Sequence, residues 1–120
     1  MTSLTDDIID IAMRPADQVP DLPLDFAKLS LLDWMTCGVA GTGEPLAVKL
    51  RQLAAGEGGQ PLATVLGGMR VPPRMAALVN GATSHALDYD DTHFAHVGHL
   101  SAGIYPAALA IAEMQDASAE

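Results

Sequence analysis

Apolar residues recur at helical spacing along most of this chain. Ile8, Ile9, Ile11 and Ala12 give a short first helix its apolar side. Ser3 or Thr5 can cap it, and Asp6 and Asp7 fall in its first turn, where carboxylates favour the positive end of the helix dipole. Pro15, Pro20 and Pro23 then predict an extended linker. From about residue 24 to 39, Leu24, Ala27, Leu31, Trp34 and Met35 repeat at helical spacing, while Phe26, Leu32 and Val39 make other sides apolar. A helix apolar over most of its circumference is expected to be buried. Gly41 and Gly43 end it. A third helix is predicted over 45–55, with Pro45 suited to its first turn and Gly56, Gly58 and Gly59 stopping it.

The period changes once. Ala63-Thr64-Val65-Leu66 has strand character, and Gly67-Gly68 followed by Arg70-Val71 predicts a small hairpin. Pro72 and Pro73 open a helix over 74–87, striped by Met75, Leu78, Val79, Ala82 and Ala86, with Gly81 as a position of close approach. A last helix over 101–114 is carried by Ile104, Tyr105, Ala108, Leu109, Ile111 and Ala112, with Pro106 near its first turn. The fold class is therefore all-α, with at most one short β-hairpin near 63–71. There is no internal repeat and no low-complexity segment. The last helix runs into Ala117-Ser118-Ala119-Glu120 without a clear stop, so a larger domain is expected to continue from there.

Composition supports this. Aromatic residues make up 4% of the chain, whereas Ala occurs twenty times and Gly eleven. Small side chains suit close helix packing better than a β-sandwich, which favours β-branched and aromatic ones. Six basic residues against fifteen acidic ones leave a net charge of −9. That balance excludes nucleic acid and an anionic membrane surface as partners, because both need a basic face. One cysteine, Cys37, rules out an intramolecular disulfide, and its apolar neighbours predict a buried thiol. The start of the chain has no secretory pattern, and no run reaches the roughly 18 apolar residues of a membrane span. The expected location is the cytoplasm.

The candidate chemistry lies between His85 and His99, which hold all four histidines and the aspartates Asp88, Asp90 and Asp91. The segment joins two apolar helices, and loops held by rigid elements often carry catalytic groups. His93, His96 and His99 are spaced by three, which allows a metal site with nearby carboxylates. Against it, spacings of three drift around a helix axis, and Gly98 opposes a continuous helix. An acid–base site is the second reading, with an imidazole moving protons and Asp88, Asp90 or Asp91 fixing its tautomer. In the third, the aspartates cap helix ends and the histidines make ordinary surface contacts.

The run Asn80-Gly81-Ala82-Thr83-Ser84-His85-Ala86-Leu87-Asp88-Tyr89-Asp90-Asp91-Thr92, then His99-Leu100-Ser101-Ala102, then Pro106 to Glu113, resembles the 2-methylcitrate dehydratase (MmgE/PrpD) family. Leu31 to Gly41 and Ala63 to Gly67 fit it too, so the resemblance covers nearly the whole chain. The resemblance implies that residues 1–120 are the N-terminal part of an MmgE/PrpD-type helical domain, in a family whose members are several times longer. It implies a lyase or isomerase acting on small di- or tricarboxylic acids at the carbon beside a carboxylate, by dehydration, decarboxylation or epimerisation. It implies no metal and no organic cofactor. Carried over by motif, the catalytic positions are His99, Asp88 and Thr92, with Ser101 as a substrate-binding position; His93 lies outside the motif's shared core and is expected to bind substrate as pocket lining. The family's usual His-Pro-Ser reads His99-Leu100-Ser101 here.

Polycarboxylates need cationic or strong donor groups. The basic residues are Arg14, Lys28, Lys49, Arg51, Arg70 and Arg74, and none follows residue 74. The isolated chain is therefore expected to be inactive. The expected partners are a small polycarboxylate substrate and either a second copy of the chain or a complementing chain. The competing expectation is a non-catalytic helical module that works through association.

Overall fold

A computed structural model describes residues 3–117. Five helices and one hairpin follow in order: α1 (Leu4–Ala12), α2 (Asp21–Gly41), α3 (Pro45–Glu57), β1 (Ala63–Val65), β2 (Met69–Val71), α4 (Pro73–Ser84) and α5 (Ser101–Met114). The all-α fold with one short hairpin is as predicted. β1 and β2 pair antiparallel, with Thr64 opposite Arg70. Gly67 and Gly68 make the turn at φ 107° and 98°, a region that β-branched residues avoid. No helix among the described residues is long and apolar enough to cross a membrane.

α4 is the central element and packs against α5, α2, α3 and the hairpin. The core is built from small and medium side chains: Ala54, Ala63, Val65, Val71, Met75, Ala76, Val79 and Ala110. Two pairs of helix backbones come close where glycine permits it. A Cβ on Gly81 of α4 would lie 2.8 Å from the Ala102 carbonyl oxygen of α5, and one on Gly41 of α2 would collide with the Thr83 carbonyl. Polar groups fix the register. Buried Asn80 accepts from the Leu66 amide at 2.8 Å and donates to the Thr64 carbonyl at 2.9 Å, which ties α4 to the hairpin. Glu113 of α5 accepts from the Thr64 hydroxyl at 2.6 Å and from its amide.

Several local expectations hold. Ser3, not Thr5, caps α1, in a capping box with Asp6. Cys37 is buried. Others need correction. The segment expected to be an extended linker forms a short 3₁₀ turn at Ala16–Gln18, and α2 already starts at Asp21. Pro23 sits in its first turn, where a missing N–H breaks no helical hydrogen bond. α4 ends at Ser84, three residues before the expected Leu87, and Leu78 from its predicted apolar stripe is half exposed. α2 was expected to be buried. It buries Trp34, Cys37, Gly38 and Gly41, while Phe26, Leu29, Leu32 and Val39 stand exposed on its other sides. The α4–α5 pair covers one face of α2, with Trp34 against Tyr105 of α5 and Gly41 close to the backbone of α4.

Candidate functional site

The segment between α4 and α5 is held at both ends and along its length. His85 is the C-cap of α4. Asp88 turns the chain at φ 56°, a left-handed conformation that Asp tolerates better than most residues. The Asp91 amide donates to the Asp33 carboxylate of α2 at 3.0 Å. The Asp91 carboxylate then accepts from the Ser101 amide at 3.2 Å and the Ser101 hydroxyl at 2.7 Å, at the start of α5. A carboxylate there also meets the positive end of the helix dipole. Asp33, Asp91 and Ser101 thus clamp the segment to α2 and α5.

Asp90 lies inside that clamp, only 2% exposed. Its Oδ1 accepts from His85 Nδ1 at 2.9 Å and lies 3.3 Å from His99 Nδ1. His99 Nδ1 also lies 3.0 Å from the main-chain oxygen of Asp90. A carbonyl oxygen only accepts, so His99 Nδ1 must carry a proton. In the neutral ring this leaves Nε2 with a free lone pair, 3.4 Å from Asp88 Oδ1. The two imidazoles face each other at 4.6 Å between ring centres. His99 keeps 25% of its side-chain surface and His85 47%, so both communicate with solvent. A ring held by one nitrogen with the other available is arranged for acid–base chemistry.

The field around these rings is acidic. Asp33, Asp88, Asp90 and Asp91 gather there, and among the described residues none of them is paired with Lys or Arg. Burial pushes the Cys37 thiol of α2 above its ordinary range, and the negative charges of Asp33, Asp90 and Asp91 push in the same direction. Burial raises Tyr105 of α5 likewise, with a smaller contribution from Asp91.

Of the site residues expected from sequence, His99 and Asp88 come together. Thr92 is exposed on the following segment. The buried Ser101 hydroxyl is taken up by Asp91. His93 stands in an exposed loop, bridged to Gly98, where its Nδ1 accepts from the His96 amide at 3.1 Å. The histidines spaced by three are therefore not the group that assembles. His85 joins His99 instead, through Asp90, and one donor atom from each of His85, Asp88, Asp90 and His99 lies within 4.8 Å of the others. Sequence reasoning named Asp88, Asp90 and Asp91 as alternatives for orienting an imidazole, and the geometry selects Asp90. His85 was passed over because its partner lies across a turn that no periodicity reveals.

Residues 11–120 match the MmgE/PrpD N-terminal domain. A cis-aconitate decarboxylase-like protein, oryM, of Aspergillus oryzae is 32% identical over 104 residues, covering 86% of this chain and 21% of the relative. The cis-aconitate decarboxylase of Mus musculus is 34% identical over 89 residues, covering 72% of this chain and 18% of the relative. The chain thus spans about a fifth of the length of these curated relatives. With most of its length matched and the His99–Asp90–Asp88 segment inside the match, the chain belongs to the MmgE/PrpD family.

Proposed function

We propose that this chain contributes the acid–base half of a lyase active site for small di- or tricarboxylic acids. The observation that carries this reading is the fixed tautomer of His99. Its Nδ1–H is spent on the Asp90 carbonyl, so Nε2 is the atom that takes or gives the proton at the carbon beside a carboxylate. Asp88 lies next to that nitrogen and shapes the approach, and Thr92 and Ser101 follow on the same segment. His93 lines the outer rim.

The other half of such a site has to be cationic, because the substrate carries two or three negative charges and the segment around His99 carries several more. Lys28, Arg70 and Arg74 pair with Asp25, Glu113 and Glu57, and Arg51 donates to the Thr42 carbonyl. The reading therefore includes a partner: cationic groups from a longer protein, a complementing chain or a second copy. The isolated 120-residue chain is expected to turn over neither cis-aconitate nor 2-methylcitrate.

The test exchanges residues 11–120 for the matching segment of the mouse relative and follows CO₂ release from cis-aconitate. A working chimaera should lose about 10²–10⁴-fold in rate on His99→Ala, the usual contribution of a positioned acid–base group. An unchanged rate in that variant refutes the role of His99. Substantial turnover by the 120-residue chain alone refutes the divided site.

A second reading is favoured by one observation, the exposed apolar side of α2. Phe26, Leu29, Leu32 and Val39 are each more than 60% exposed. Exposed apolar side chains of this size favour association. Light scattering separates the two readings, since a stable monomer at high concentration counts against a module that works by association alone.

A further inference from the structure

We propose that His85, Asp88, Asp90 and His99 form a binding site for a divalent transition-metal ion of the zinc class. The set differs from the one the spacing of His93, His96 and His99 suggests. It assembles because Asp90 draws His85 and His99 together from the two ends of the connection between α4 and α5.

Four features support it. The donors are two imidazoles and two carboxylates, a set suited to Zn²⁺ and its neighbours in the first transition row. The spacing fits: bonds of about 2.0–2.2 Å place neighbouring ligands roughly 3.0–3.5 Å apart. His85 Nδ1 and Asp90 Oδ1 are 2.9 Å apart, and His99 Nε2 and Asp88 Oδ1 are 3.4 Å apart. One ring nitrogen or carboxylate oxygen from each of the four residues lies within 4.8 Å of the others, a spread that side-chain rotation narrows to close on one ion. His99 already has the supporting contact that metal-bound histidines use, its Nδ1–H on a main-chain carbonyl with Nε2 directed elsewhere. Last, the Asp90 carboxylate is buried, and its Oδ2 has no hydrogen-bond partner among the described residues. A buried carboxylate surrounded by further aspartates and lacking Lys or Arg is stabilised by a cation.

Binding at His85 Nδ1 displaces the proton shared with Asp90 Oδ1, which a neutral ring then carries on Nε2. The ion also occupies His99 Nε2. Where His99 performs proton transfer, as proposed above, the metal-loaded form is an inhibited form. The binding itself does not rest on that catalytic reading.

The test is a Co²⁺ titration of the 120-residue chain, followed by visible absorption, with Zn²⁺ as competitor. One Co²⁺ per chain, displaced by Zn²⁺, is expected. His85→Ala should weaken binding at least tenfold, whereas His93→Ala and His96→Ala should leave it within twofold. The His85 side chain is half exposed, so circular dichroism should show this variant folded. Zn²⁺-induced shifts of the imidazole ¹⁵N signals of the unaltered chain give a second measurement that needs no variant. Shifts at His85 and His99 support the site. No uptake at micromolar to tens of micromolar metal overturns it, as do losses or shifts that follow His93 and His96 instead. None of these readouts uses substrate, so failure here leaves the decarboxylation test of His99 standing.

Discussion

The Nδ1 of His99 donates to the main-chain carbonyl of Asp90 across 3.0 Å, while the Asp90 side chain lies against the same nitrogen. One residue thus holds the ring from two directions, and only one of its two acceptors can be altered by substitution. The main-chain carbonyl favours a proton on Nδ1 whether or not the Asp90 carboxylate is ionised. The first prediction follows. In the metal-free chain, once the ring is neutral, long-range ¹H–¹⁵N spectra should show the His99 proton on Nδ1 and a bare Nε2. Asp90→Asn should leave that pattern in place, because the carbonyl remains. A proton found on Nε2 removes the basis for treating that atom as the proton acceptor.

Asp91 has the opposite character, since its work is mechanical. Its carboxylate accepts twice from Ser101 and its amide donates to Asp33, so it joins α2, the connecting segment and the start of α5. Asp91→Ala leaves the Ser101 amide and hydroxyl without their acceptor and should cost about 1–3 kcal/mol in urea unfolding. Asp91→Asn keeps an acceptor oxygen and should cost less. Ser101→Ala should cost less still, because the amide contact survives. Equal stability of all three variants shows that the clamp does not hold the segment.

Sequence was informative where a local rule governs structure. Ser3 or Thr5 ahead of Asp6 and Asp7 marked a helix start, Gly67-Gly68 marked a hairpin turn, and the apolar repeat from Ile104 to Ala112 marked α5. The same local rules misread Pro20 and Pro23. A proline breaks a helix only beyond its first turn, and where that turn begins depends on what α2 packs against. Burial of α2 failed for a related reason: periodicity shows that Phe26 and Val39 are apolar, not which neighbours cover them. In the site, the motif carried His99 and Asp88. The pairing of His85 with Asp90 did not show, because it depends on α4 stopping at Ser84 and on Asp88 entering the left-handed region.

Glycine provides a controlled comparison within the α4–α5 contact. A Cβ at Gly81 meets the Ala102 carbonyl at 2.8 Å, whereas one at Gly103 meets nothing within 4 Å. Gly81→Ala should therefore force the helices apart and cost about 1–3 kcal/mol, the range for overpacking. Gly103→Ala lies within α5 with no such contact and should stabilise by up to about 1 kcal/mol, through helix propensity alone. Thermal melts of the two variants settle the comparison, and similar melting temperatures disprove the tight crossing.

The acidic surroundings of the site should also be visible in the stability of the whole chain at high pH. Cys37 is raised above its ordinary 9.0 by burial first and by Asp33, Asp90 and Asp91 second. Tyr105 is raised above its ordinary 10.0 by burial and by Asp91. A group that holds its proton longer in the folded state contributes its full stability below the unfolded value. Above that value the unfolded chain ionises first, unfolding releases a proton, and stability falls as pH rises. Denaturant midpoints should therefore be flat from pH 7.5 to about 8.5, then decline from about 9 through Cys37 and more steeply above about 10 as Tyr105 joins. Cys37→Ala should flatten the stretch between about 9 and 10 and leave the later decline, and Tyr105→Phe should do the reverse. Comparing slopes against pH, not absolute midpoints, separates this linkage from any packing change the substitutions bring. A decline of unchanged slope in Cys37→Ala places the alkaline loss elsewhere and shows that the thiol does not share the field of the site's carboxylates.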